Sequence, residues 1–332
     1  MQRNAPKPAM LIEGLVREHK LKPAGMTERF TPAADLFVLA HLGIPEIKAE
    51  NWSLCIDGLV DTPLELDFNE LLRRPERVVE TVHQCAGSPL DPTTPTRRVA
   101  NVRWTGVDLA ELLADAGVRS SATHLWAFGL DHGVFAGDEQ DCYLKDIPLS
   151  RIAAGDVLVA YQLNGEPLSG KHGFPARLVV PGYFGTNSVK WLSRLTLSDD
   201  RAKSLFTTRF YNDPVPGSEA TRPVWEIAPE SVIVSPAPDS KLTAGDIEIW
   251  GWAWSAGDVA CVDVSTDGGM TWRDARLEPR SQRSWQRFSY PWSARRSGAH
   301  ELLCRATDIE GETQPLEGVR NAVYSITVNV EG

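Results

Sequence analysis

The chain has 332 residues, which at roughly 150 per domain points to about two domains, each able to bury its own core. Apolar residues make up 42% and charged residues 23%, a balance that excludes a disordered or fibrous chain, and the length excludes a small disulfide-stapled scaffold. With 34 basic against 44 acidic residues the net charge is −10 and the signs are interspersed, so neither nucleic acid nor an anionic lipid surface is an expected partner.

No stretch approaches the run of about eighteen apolar residues that spans a bilayer, so membrane insertion is not expected. Residues 1–22 are charged throughout and carry neither an apolar export core nor twin arginines, which predicts a cytoplasmic protein, or a periplasmic one if a leader was removed. Cys55, Cys85, Cys142, Cys261 and Cys304 are odd in number, far apart and free of any CxxC pair, the pattern of reduced thiols and not of a zinc site. No fixed-period repeat is present.

In chain order, residues 1–30 read as a loosely ordered arm. "WSLCIDGLV" predicts a strand and "DFNELLRR" a helix with an Asp cap and Glu in its first turn. "VVETVHQC" is β-rich and ends in "AGSPLDPTTPT", whose Gly and Pro forbid regular structure, so Cys85 stands where a strand runs out into a loop. "TGVDLAELLADAG" predicts a helix closed by Gly117. Pro- and Ser-rich residues 207–230 read as a linker, and beyond them short alternating runs separated by turns predict an all-β, immunoglobulin-like sandwich over 231–332. The expected class is α+β, with a mixed α/β domain over 31–206.

"GKHGFPARLVVPGYFGTNSVKWLSRL", residues 170–195, is the stretch richest in chemistry. Arg177 can grip a phosphate bidentately, Lys190 adds a point charge, and the glycines let backbone N–H groups approach an anion, with His172 close by. The alternative is a glycine-rich turn with solvated cations and a structural histidine. Cys85 can be a nucleophile paired with His83, a soft-metal ligand, or simply buried. Tyr211, beside Arg209, is either a proton donor or packing, and Trp250, Trp252 and Trp254, alternating on one strand, are core or a dimer surface.

Together these pieces resemble the sulfite oxidase family of molybdenum enzymes, from about Phe37 to the C-terminus. "HQCAGS" resembles the family's cysteine loop, "HGFPAR" with "SVKWL" its pterin clamp, and "STDGGMTW" its dimerisation domain. The resemblance implies a molybdopterin-binding domain followed by an immunoglobulin-like dimerisation domain, with Cys85 as the thiolate ligand of molybdenum. It likewise implies Tyr211 as the active-site tyrosine, and His41, Asp131, His172, Arg177, Ser188, Val189 and Lys190 as cofactor contacts. A soft thiolate suits a metal that changes oxidation state.

The chain departs from the family where sulfite is bound. Leu39 and Leu90 stand where the resemblance expects arginines, and residues 248–270 contain no Arg or Lys. A small dianion needs such charge-assisted bonds to leave water. The expected function is therefore molybdenum-dependent oxygen-atom transfer on a small sulfur-containing substrate other than sulfite, in a homodimer. With no haem or flavin segment in the chain, a separate electron-transfer partner such as a cytochrome is implied. The alternatives are a true sulfite oxidase using Arg97, Arg98 or Arg209 instead, or a non-catalytic cofactor-binding or β-sandwich interaction protein.

Overall fold

The computed structural model describes residues 7–332 apart from 19, 89, 92, 216 and 319. The chain gathers into two compact units that interleave along the sequence. The first comprises Met1–Glu18, Phe37–Val79 and Arg103–Trp225, and the second His19–Leu36, Glu80–Val102 and Glu226–Gly332.

The first unit is organised by a five-stranded sheet in the order Leu144–Pro148, His124–Gly129, Leu192–Ser198, Ser53–Gly58, Leu64–Asp67. Only the central pair, Leu192–Ser198 with Ser53–Gly58, is parallel. Strict alternation of buried and half-buried residues over His124–Gly129 marks a strand with one face in the core. Helix Leu109–Ala116 starts because Asp108 accepts from the Ala110 N–H, and it stops at Gly117, whose φ of 69° is left-handed. It buries Leu109, Leu112, Leu113 and Ala116 in a core shared with Leu54, Ile56, Leu125 and Leu195, each fully buried Leu or Ile side chain contributing about 1.5–3 kcal/mol. The helix is shorter than the sequence suggests, because Thr105–Asp108 pair as strand with Leu158–Gln162. Tertiary pairing there overrides a helix-compatible pattern.

The expected loose arm is also partly strand. Residues 1–6 and 19 of it lie outside the described residues, but Met10–Glu13 pairs with Gly43–Pro45, and Val16–Glu18 pairs with Val38–Ala40, placing Arg17 opposite Leu39. Val16, Val38, Ala40, Ile44 and Trp191 close a small core beneath, which gives the arm an apolar surface to order against. Within the expected linker, Asn212–Pro214 pairs with Thr221–Pro223; Pro216 lies outside the described residues.

In the second unit one sheet runs Glu230–Ser235, Gly245–Trp254, Gln286–Ala294, Arg276–Leu277. The other runs Lys241–Thr243, Ile326–Glu331, Gly298–Asp308, Val259–Ser265, Arg273–Asp274. Their inward residues share one core that includes Ile249, Val262, Phe288, Leu302, Cys304 and Val328. Trp252 and Trp254 are core residues, Trp252 stacking on Trp285 at 4.9 Å, whereas half-buried Trp250 lies under the Arg287 guanidinium. The protein is mostly sheet, and its longest α-helix among the described residues has 8 residues, so the helical share is smaller than an α+β class implies. No helix among the described residues is long and apolar enough to cross a membrane.

Candidate functional site

In the first unit, the predicted clamp residues converge around Arg177, which is 3% exposed. Its two terminal nitrogens donate to the carbonyls of His172 at 3.0 Å and Ser188 at 2.9 Å, and the guanidinium lies 4.8 Å from the Trp104 ring centre. Its Nε finds no hydrogen-bond partner, and no carboxylate pairs with Arg177 among the described residues. Burial pulls its pKa down to about 9, which still leaves it charged at neutral pH.

Ser188 Oγ accepts from the Val180 N–H at 3.0 Å, so the carbonyl that holds Arg177 belongs to a braced turn. Val189 is plain core, its carbonyl accepting from Leu178 N–H at 2.8 Å. Gly173 has φ of 104°, and a Cβ there would press to 3.1 Å on Lys190 and 3.2 Å on Arg177, so glycine lets those two side chains flank one turn. Lys190 Nζ donates to the Lys171 carbonyl at 3.0 Å and lies 4.3 Å from the Trp191 ring centre.

Asp131 is 3% exposed and its Oδ1 is also without a partner among the described residues. A Cβ on Gly129 would collide with that oxygen, which explains the glycine two residues earlier. Burial pushes the Asp131 carboxyl up against the opposing pull of Lys190, and burial together with the Arg177 charge brings Lys190 down. This leaves a buried cation, a second amine, and one open donor and one open acceptor. Such a set suits a phosphate and the hydrogen-bonding edge of a heterocycle.

A second cluster forms around His41. Its Nε2 and the Tyr211 hydroxyl are hydrogen-bonded at 2.5 Å, and Phe135, Tyr143 and Phe206 ring it at centroid distances of 5.0, 5.3 and 5.2 Å. Burial, reinforced by Lys190, Arg17 and Lys145, drives the imidazole pKa down to about 3, so it is neutral across the physiological range. Tyr211 has φ of 60°, a left-handed conformation that a bulky residue adopts only when its surroundings hold it there. Lys145, 1% exposed, lies 5.3 Å from the Tyr211 ring centre and donates to the Phe206 carbonyl at 2.9 Å. Lys145 and the phenylalanines carry no sequence signal, since their roles depend on chain segments 60 or more residues apart.

Cys85 belongs to the second unit. It is 5% exposed, its N–H donates to the Arg98 carbonyl at 2.9 Å, and its Sγ accepts from the Gly87 N–H at 3.4 Å. Arg98 in turn donates to the Gly87 carbonyl at 3.0 Å. Of the three arginines that could substitute for those missing at Leu39 and Leu90, Arg97 is consumed by an ion pair with Glu230 at 3.0 Å, Arg209 pairs with Asp138 at 3.1 Å on the surface, and Arg98 has a buried Nε without a partner among the described residues. Leu90 is 73% exposed.

Comparison with known proteins matches residues 41–206 to the oxidoreductase molybdopterin binding domain and residues 221–330 to the Mo-co oxidoreductase dimerisation domain. Mitochondrial sulfite oxidase of Rattus norvegicus is 31% identical over 326 residues, 88% of this chain and 59% of its own length. Sulfite oxidase of Gallus gallus is 32% identical, covering 87% of this chain and 69% of its own. The crystal structure of the sulfane dehydrogenase SoxCD from Paracoccus pantotrophus aligns with a TM-score of 0.81 at 29% identity, over 95% of this chain and 90% of that one. The open donor of Arg177 and acceptor of Asp131 fit the phosphate and pterin of the cofactor that this domain binds. The chain therefore belongs to the sulfite oxidase family of molybdopterin oxidoreductases.

Proposed function

We propose that this protein is a molybdenum-cofactor oxidoreductase acting on a small sulfur-containing substrate other than sulfite. When bound, the cofactor supplies two-electron oxygen-atom transfer. The observation that carries the reading is Arg177, a buried guanidinium with carbonyls but no carboxylate around it. A buried cation needs an anion, and the phosphate of a pterin cofactor is the anion the family uses. Arg177, with His172, Ser188 and Lys190, holds that phosphate side, and Asp131 faces the heterocycle. His41 orients the Tyr211 hydroxyl towards substrate through their short hydrogen bond, and it stays neutral while doing so. Cys85 is the thiolate ligand of the metal.

Three features support a substrate other than sulfite. Leu39 and Leu90 offer no charge where arginines are expected, residues 248–270 hold no cation, and two of the three candidate substitutes, Arg97 and Arg209, are already paired. The likeness to a sulfane dehydrogenase is consistent with a reduced-sulfur substrate. A second reading, sulfite oxidation with a relocated cation, rests on Arg17, which lies directly opposite Leu39 across an antiparallel pair and forms no ion pair among the described residues. The match of residues 221–330 to a dimerisation domain supports a homodimer, with electrons passed to a redox partner.

The test measures molybdenum content together with reduction of an artificial acceptor by sulfite and by neutral organic sulfur compounds. Stoichiometric metal with turnover of the neutral compounds and negligible sulfite turnover is expected. Brisk sulfite turnover that collapses in Arg17→Ala establishes the second reading instead. Cys85→Ser is expected to keep the pterin and lose more than about 100-fold in activity, since an alkoxide replaces a soft thiolate poorly.

A further inference from the structure

We propose that Gln84 is a positioning residue for the Cys85 thiol, held by Glu230 and Trp254 so that the C-terminal sheet aims the sulfur. This rests on the reading of Cys85 as a metal ligand. Gln84 is the last residue of strand Arg77–Gln84, and among the described residues none from Cys85 to Thr96 belongs to a helix or strand. A ligand at such a point takes its direction from whatever fixes the residue before it.

Gln84 is fixed from both sides of its amide. Its Oε1 accepts from Trp254 Nε1 at 2.9 Å, and its Nε2 donates to Glu230 Oε2 at 2.5 Å. Glu230 and Trp254 are opposite residues of the paired strands Glu230–Ser235 and Gly245–Trp254, so neighbouring strands present an acceptor and a donor side by side, as an amide requires. All three side chains are buried, at 3%, 2% and 0% exposure, so water offers no substitute partners.

The same carboxylate also steadies the segment across from Cys85. Arg97 Nε donates to Glu230 Oε1 at 3.0 Å, its NH1 donates to the Thr94 carbonyl at 2.7 Å, and its guanidinium lies 5.1 Å from the Tyr324 ring centre. The next residue, Arg98, supplies the carbonyl that accepts from the Cys85 N–H. The residue before Cys85 and the backbone bonded to Cys85 are therefore both tied to Glu230. Losing an outer support of a metal ligand commonly costs about 10–100-fold in metal affinity or activity.

The full-length protein, prepared with and without cofactor, tests this as native chain, Gln84→Leu, Trp254→Phe and Cys85→Ser. Gln84→Leu removes the amide but leaves the Arg97–Glu230 pair, and Trp254→Phe removes one of the two bonds. In the cofactor-free protein, iodoacetamide labelling is followed by peptide mass spectrometry at Cys85 and at Cys304, a core thiol of the same unit at 1% exposure. Labelling of Cys85 is expected to accelerate about tenfold in Gln84→Leu and about threefold in Trp254→Phe, with Cys304 unchanged. In the loaded protein the sulfur-to-metal charge-transfer absorption should shift in both variants at unchanged molybdenum content.

An equal rise at Cys304 overturns the proposal, because the amide then only holds the fold together. So do unchanged labelling and absorption in both variants. If Gln84→Leu does not fold, Trp254→Phe decides the question alone. Should Cys85→Ser leave the absorption of the loaded protein intact, the thiolate-ligand reading itself fails, whatever the labelling shows.

Discussion

Arg97 and Arg177 are both almost fully buried, at 1% and 3% exposure, yet they are satisfied in opposite ways. Arg97 has its own carboxylate, Glu230, with Thr94 and Tyr324 completing its surroundings. Arg177 has two carbonyls, an open Nε and no carboxylate among the described residues. Desolvating a guanidinium is costly unless an opposite charge compensates, so the first arginine is a structural element complete in itself and the second fits the anionic partner proposed for it. The difference lies in the counter-charge and not in burial, and it is what the proposed cofactor role of Arg177 rests on.

The largest expected effect would separate the two arginines directly. Arg97→Met leaves Glu230 buried without its cation and should cost about 3–5 kcal/mol in urea unfolding, whereas Arg177→Met should change stability by no more than about 1 kcal/mol. Adding Glu230→Leu to Arg97→Met should recover part of the loss, because no orphan charge is left although the buried Gln84 amide loses its acceptor. Failure to recover would show that the pair does more than neutralise itself.

Next in size, Arg177→Met should lower molybdopterin and molybdenum content about tenfold in the purified protein. Full content in that variant would remove the functional half of the comparison. Leu39→Arg combined with Leu90→Arg should lower the KM for sulfite about tenfold if charge is what the substrate side lacks. No gain would point to a pocket of different shape.

The last effect concerns acid stability and grows as the pH falls. His41 has a folded pKa of about 3 against an ordinary 6.5, so below about pH 6.5 the unfolded chain binds the proton that the folded chain refuses. Stability should therefore fall as pH drops from 6.5 towards 3. His41→Asn should flatten that slope in urea titrations taken at successive pH values.

Local chemistry made much of this legible in advance. The cap of Asp67 with Glu70, the stop at Gly117 and the end of a strand at Gln84 depend on neighbours in the chain, and each stands where the residues predict it. The convergence of His172, Arg177, Ser188 and Lys190 was legible too, because they lie within one short stretch and meet across its own turns. The strand character of Met10–Glu13 and Thr105–Asp108 was not legible, since each is strand only through a partner 30 or more residues away.

What the amino-acid sequence by itself determined was the family, a mixed helix-and-strand pattern followed by an all-β one, and the residue types of the proposed cofactor clamp. Tertiary structure alone decided that His41 meets Tyr211, that Lys145 lies beneath the same ring, and that Gln84 is gripped by Glu230 and Trp254. The reason is physical. Motif chemistry is written in residues that share a turn, whereas the ionisation of a buried group and the aim of a thiol depend on side chains brought from 146 or 170 residues away.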